Sequence, residues 1–222
     1  MPRTLLLIPL ALAALSACAE SAGKDSGGVP AQEPARVAAV PSWRANPTAQ
    51  VTVTGSDPLT VETGPHVVLW PSDAAVLTPP YTIHATLQKH TGRIHEGTGI
   101  LFGGANLDRP EGEQRYAYFL TRGDGSFLIK LRRGAELPIV QDWTAHPAIR
   151  RDGEDGGQAN ELEVRATTAD VAFLVNGTEV ARVPASRFDL RGVAGLRVSH
   201  ELQLEVTGFH VVPGVAGPGA GR

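Results

Sequence analysis

Asn160-Glu161-Leu162-Glu163-Val164-Arg165-Ala166, and after a short turn Phe173-Leu174-Val175-Asn176-Gly177-Thr178-Glu179-Val180, decide the fold. The first segment alternates polar and apolar residues as a half-buried strand does. Asn176-Gly177 can supply both positive-φ residues of a type I′ turn, which predicts a two-residue β-hairpin. Folding the first segment back through Thr167-Thr168-Ala169-Asp170 pairs Ala166 with Val171, Val164 with Phe173 and Leu162 with Val175. The Asn-Gly turn then pairs Phe173 with Val180. Every pairing places apolar residues on one face, and a slip of one residue would mix the faces. A three-strand antiparallel meander therefore anchors the chain.

The same pattern extends outward in both directions. Arg115 to Arg122 and Ser126 to Arg132 form a second hairpin, joined by a three-residue loop with Gly125 left-handed. Its expected pairs are Phe119 with Ile129, Ala117 with Leu131 and Thr121 with Phe127. The opposite face then carries Tyr116, Tyr118 and Arg122 beside Arg132, Lys130 and Ser126. Tyr81 to Gln88 alternates, with Tyr81, Ile83, Ala85 and Leu87 on one side. Gly99 to Gly104 reads as a central strand that something approaches closely at its glycines. Residues 51–54, 66–70, 139–143, 195–199 and 201–211 are further strands, and no strong helix is expected. About ten short strands separated by turn signals predict an all-β, two-sheet antiparallel sandwich.

Composition bounds the rest. Twenty-five glycines and seventeen prolines suit a turn-rich β protein. A net charge of −3 argues against a nucleic-acid partner, which selects a basic stripe. The chain has one cysteine, Cys18, so it has no intrachain disulfide and no thiolate zinc site. Seven histidines show no paired metal-ligand spacing.

Leu5 to Ala17 is an apolar run of signal-peptide length. It ends in Leu15-Ser16-Ala17-Cys18, which resembles the lipobox of a bacterial lipoprotein. The resemblance implies a leader over residues 1–17, lipidation of Cys18, and a membrane contact strong enough for stable anchoring. An ordinary secretory signal, with Cys18 incidental, is the alternative. Residues 18–42 read as a tether rich in Gly, Ala, Pro and Ser. The body spans 43–212, and the glycine-rich tail 213–222 is expected to be disordered. The expected location is the bacterial cell envelope. By the same resemblance it is the outer membrane where a host has two, since Ala19 rather than Asp follows the cysteine.

Gly99-Ile100-Leu101, the strand ending Arg122-Gly123-Asp124-Gly125, Asn160 to Arg165, the Asn-Gly hairpin and Gly192-Val193-Ala194-Gly195-Leu196 follow one another in order. This order resembles the concanavalin A-like lectin/glucanase jelly roll, including laminin-G-like modules and the 3-keto-disaccharide hydrolase (DUF1080-type) superfamily, over roughly residues 48–212. The resemblance implies two six- or seven-stranded sheets and a carbohydrate ligand. Glycosidases of this fold carry three spaced carboxylates on one strand. Here Glu161 and Glu163 are followed by Arg165, and Tyr116-Ala117-Tyr118 stands where keto-disaccharide hydrolases carry a Tyr-Glu pair. The expectation is thus a non-catalytic binder of carbohydrate or another surface ligand. The alternatives are a glycoside-active enzyme using Glu161 and Glu163, and an envelope module that meets protein.

The two carboxylates stand about 6.7 Å apart on one strand face, a glycosidase-like separation, but a solvated face balanced by Arg165 fits the alternation directly and is the preferred reading. The preferred ligand site is the face of Tyr116, Tyr118, Arg122, Lys130 and Arg132, joined by His84 and Gln88. Rings there would stack on sugars and cations would hold a carboxylate or sulfate; cross-strand pairing that merely stabilises a sheet is the plain alternative. Trp143 and His146 would rim that cleft, unless Trp143 belongs to the core. No cofactor is expected. The loops Asp152 to Gly157 and Asn106 to Asp108 leave calcium open, although each alone lacks the six to eight oxygens it takes.

Overall fold

The computed structural model describes residues 42–153 and 156–214. In chain order its strands are β1 (Trp43–Ala45), β2 (Val51–Gly55), β3 (Leu59–Thr63), β4 (Val67–Pro71), β5 (Tyr81–Thr91), β6 (Gly97–Ala105) and β7 (Arg115–Arg122). They continue with β8 (Ser126–Arg133), β9 (Ile139–Ala145), β10 (Asn160–Ala166), β11 (Asp170–Val175), β12 (Thr178–Pro184), β13 (Val193–Val198) and β14 (Gln203–Pro213). Single 3₁₀ turns at Glu111–Glu113 and Ala185–Arg187 are the only helices among the described residues.

Two seven-stranded sheets result, in the orders β1-β4-β13-β6-β7-β8-β9 and β12-β11-β10-β5-β14-β3-β2, with every pairing antiparallel. The first is called sheet A and the second sheet B. Alternate residues of both sheets meet in one core, including Phe102, Phe119, Phe173, Ile83, Ile100 and Leu204, all essentially without solvent contact. Phe102, Phe119, Phe173 and Phe188 meet there with ring centroids 5.2 to 6.0 Å apart, close enough for edge and tilted contacts. The all-β, two-sheet antiparallel sandwich expected from the alternation and turn signals is the fold observed, and the seven strands in each sheet agree with what the resemblance implied.

The anchoring meander has the predicted register between β10 and β11. Asn176 and Gly177 sit at φ of 50° and 77°, as the hairpin turn requires. Beyond it the register differs: Val175 faces Thr178 and Leu174 faces Glu179, but a bulge then sets Phe173 opposite Ala181 rather than Val180. The extra residue lets both Val180 and Ala181 lie partly against the core. The β7–β8 register agrees pair for pair, with Gly125 at φ 83°. β6 is the middle strand of sheet A, and the close approach at its glycines comes from protein backbone: a Cβ at Gly99 would strike the Phe119 carbonyl, and one at Gly103 the Asp189 carbonyl.

Two strands are additional to those read from the sequence. β1 is only three residues long, and β3 pairs with β2 across a turn at Pro58. β14 runs on through Pro213, past the expected end of the body. The leader expected over 1–17, the tether up to residue 41, the lipidated Cys18 and the tail from 215 lie outside the described residues.

Candidate functional site

β7 and β8 turn Tyr116, Tyr118, Leu120 and Arg122, with Leu128, Lys130 and Arg132, to the outer side of sheet A. There Tyr116, Tyr118, Leu120 and Leu128 join Val68, Trp70, Leu101 and Leu107 in a second apolar cluster. The loop 106–114 lies across this face. Its Asp108 approaches Arg44 of β1 at 3.9 Å, and Leu107 packs into the cluster. Its Glu111 accepts from Arg132 Nη2 at 3.2 Å and pairs with His66 Nε2 at 2.7 Å. Arg132 Nε also donates to the Tyr116 hydroxyl at 3.1 Å. Tyr116 and Tyr118 consequently keep only 5% and 7% of their surface, so their rings are packed beneath the loop rather than offered to solvent.

Electrostatics follow from this packing. Burial, helped by the nearby Arg197 guanidinium, holds the His66 imidazole below its ordinary pKa despite the Glu111 hydrogen bond. For Glu111, burial pushes the carboxyl upward. The His66 hydrogen bond and the Arg132 charge outweigh it and hold the group below the usual carboxylate value. Desolvation raises the Tyr118 hydroxyl.

The other expected residues scatter. Arg122 pairs with Asp124 at 2.7 Å and lays its guanidinium 4.2 Å from the Trp143 ring centroid. Trp143 is not in the sandwich core; it lies on the outer face of sheet A, where its ring tip covers Gly97. His146 packs edge-on against Phe127 and does not rim the tyrosine face. His84 does not join that face at all. β5 belongs to sheet B, so His84 and Gln88 point away from the tyrosines on the opposite side of the molecule. Residue parity along a strand fixes which side faces the core, but not which sheet the strand enters. His84 stacks on His210 with centroids 4.7 Å apart and stands 4.0 Å from Glu163.

Glu163 is 8% exposed and takes Arg165 at both carboxylate oxygens, while Glu161 is exposed beside it. Asp152 pairs with the buried Lys89 at 2.9 Å, and no group of three candidate metal ligands occurs among the described residues.

A cavity of about 570 Å³ opens where β7 begins and β8 ends. Ala117 and Leu131 give it apolar walls. Arg115, Arg132, Arg133, Glu113, Glu136 and Asp189 bring charges to it, and Tyr116 reaches it too. Apolar surface with a few convergent polar groups is the usual make-up of a small-ligand site. Of the residues expected from sequence, Tyr116 and Arg132 line it. Arg115, Arg133, Glu136 and Asp189 went unmarked, although the β7–β8 register already sets Arg115 opposite Arg133. A second cavity of similar volume opens between the sheets beside Trp43 and Phe209, with mainly apolar walls and no lysine or arginine in its lining.

No protein-family model matches the chain, and no curated protein is similar to it. Solved structures are similar. The carbohydrate binding module CBM66 from Bacillus subtilis is 11% identical with a TM-score of 0.57, over 76% of this chain and 94% of that one. A Bacillus subtilis protein of unknown function with a galectin-like fold is 15% identical with a TM-score of 0.58, over 78% and 89%. The Emp47p carbohydrate recognition domain is 12% identical with a TM-score of 0.55, again over 78% and 89%. Likeness at this identity establishes the shared sandwich fold.

Proposed function

We propose that this chain is a non-catalytic glycan-binding module held at the bacterial cell envelope by lipid on Cys18. The observation that carries the binding role is the cavity at the β7–β8 end. Its volume of about 570 Å³ falls in the small-ligand range. Its apolar walls suit the C–H face of a sugar ring, and its guanidinium and carboxylate groups suit hydroxyls. Two of the similar structures are described as carbohydrate-binding or carbohydrate-recognising, which agrees with this reading. Binding rather than hydrolysis is favoured because Glu163 is occupied by Arg165 and neither Glu161 nor Glu163 lines a cavity described above.

The mature chain, screened against a glycan array, should bind at least one glycan class. Ala135→Trp, which fills the cavity from an exposed wall position, should abolish that binding with the fold intact by circular dichroism. Undiminished binding by this variant would move the site elsewhere. For the anchor, cells fed an alkyne fatty acid should label the protein, and Cys18→Ser should lose the label and leave the membrane fraction. An unlabelled wild-type chain would end the lipoprotein assignment.

A further inference from the structure

We infer that the cavity at the β7–β8 end selects a carboxylate-bearing saccharide, a uronate unit, by clamping its carboxylate between Arg115 and Arg133. This inference rests on the glycan-binding reading and narrows it to one chemical class.

Arg115 opens β7 and Arg133 closes β8, and the two are direct cross-strand partners. Both line the cavity and are solvent-exposed. Like charges set directly opposite on neighbouring strands are destabilising unless something stands between them. Among the described residues no carboxylate comes within 4.0 Å of either guanidinium. The neighbouring Arg132 is different, because Glu111, Tyr116 and the Gly134 carbonyl already occupy it. Arg133 Nη2 donates to the Arg187 carbonyl at 3.2 Å, which orients the guanidinium without neutralising it.

Acids are present in the same cavity yet do not fill this role. Glu136 follows β8 and pairs with Arg133 only through backbone. Asp189 stands beside β6, its carbonyl against Gly103, and Glu113 faces Arg109 at 3.9 Å. The place between the two arginines therefore has positive charge and, among the described residues, no carboxylate to balance it. Planar guanidinium forks match a carboxylate in bidentate fashion, which makes a uronate a better fit than a neutral sugar. Glu136 and Asp189 would accept from ring hydroxyls, while Ala117 and Leu131 meet the apolar ring face. The acids would repel the carboxylate and so set the sugar's orientation.

The test is calorimetric titration of the full mature chain with galacturonate and mannuronate trisaccharides, their methyl esters, and a sulfated neutral trisaccharide. Esterification removes the charge and keeps the ring. At least one free acid should bind ten-fold or more tighter than its ester, with the preference falling as salt is raised. Arg115→Gln and Arg133→Gln should each erase the preference while still unfolding cooperatively. Arg115→Gln should melt no lower than the wild type, because it relieves the like-charge pair, and Arg115→Lys should keep part of the preference. Equal affinity for acids and esters, or a preference unchanged in both variants, overturns the carboxylate clamp and leaves glycan binding standing. Binding of the sulfated sugar alone also overturns it. Failure of every saccharide on both this panel and the array removes the glycan-binding reading and the clamp together.

Discussion

A methyl group added at Gly99 would run into the Phe119 carbonyl oxygen, which is backbone and cannot swing aside. Gly99→Ala should therefore cost about 1–3 kcal/mol, the usual range for overpacking a tight interior. Gly112→Ala, where an added Cβ meets nothing within 4 Å, should leave the denaturation midpoint unchanged. Equal midpoints for the two variants would mean that β6 and β7 can spread apart. His66 makes a second prediction at this scale. Its pKa is depressed below 6.5, so the unfolded chain binds more protons than the folded one as pH falls through that value, and stability drops. Glu111 is depressed below 4.5 and adds a later loss of the same sign under more acid conditions. The unfolding temperature of the wild type should fall between about pH 7.5 and 5.5, and His66→Gln should be flatter across that window. Parallel profiles would assign the loss to other groups. Arg197 Nε, a buried nitrogen with no partner, has no structural explanation.

The turn between β11 and β12 is held by more than its backbone. Asn176 Oδ1 accepts from the Glu161 amide at 3.0 Å, and its Nδ2 donates to the Ala148 carbonyl and to Asn160 Oδ1, both at 2.8 Å. Asn176→Gly keeps the left-handed backbone and loses those bonds. Asn176→Ala loses both, so it should be the more destabilising, with each lost tie worth about 0.5–1.5 kcal/mol by chemical denaturation. If the alanine variant were the more stable, the turn would not be the element it is read as. The β10–β11 pairing and β7–β8 were legible because alternation, turn residues and facing side chains all agreed on one register, whereas the bulge that sets Phe173 opposite Ala181 left no mark in the alternation. The placement of His84 was not, because a strand's alternation is the same whichever sheet receives it. The loop 106–114 hid for another reason. Asn106, Asp108, Arg109, Glu111 and Glu113 read as a solvated stretch, yet the partners of two of them, Arg44 on β1 and His66 just before β4, lie far back in the chain. Trp143 escaped through the same gap: a large ring can be half-buried on the outside of a sheet, here against Gly97 and beneath the Arg122 guanidinium.

At the scale of the molecule, the last strand completes sheet B. β14 lies between β5 and β3, so β2 and β3 reach the rest of their sheet only through it. A chain ending after Val198 should lose cooperative thermal unfolding, whereas one ending after Gly214 should keep it, as followed by circular dichroism and by dispersion of amide resonances. A cooperative melt in the shorter chain would show that sheet A with β5 and β10–β12 is a folding unit by itself. The opposite margin of the fold has a different mechanical character. β1 is three residues long, lies at the free side of sheet A, and is joined to the body through Trp43, Arg44 and Ala45 against Pro71, Trp70 and Leu69. Tension applied to the chain from its N-terminal side would arrive there first. It would peel this short strip and pay out slack before any load reached the layers behind it, a weak link that spares the β7–β8 end of the sheet.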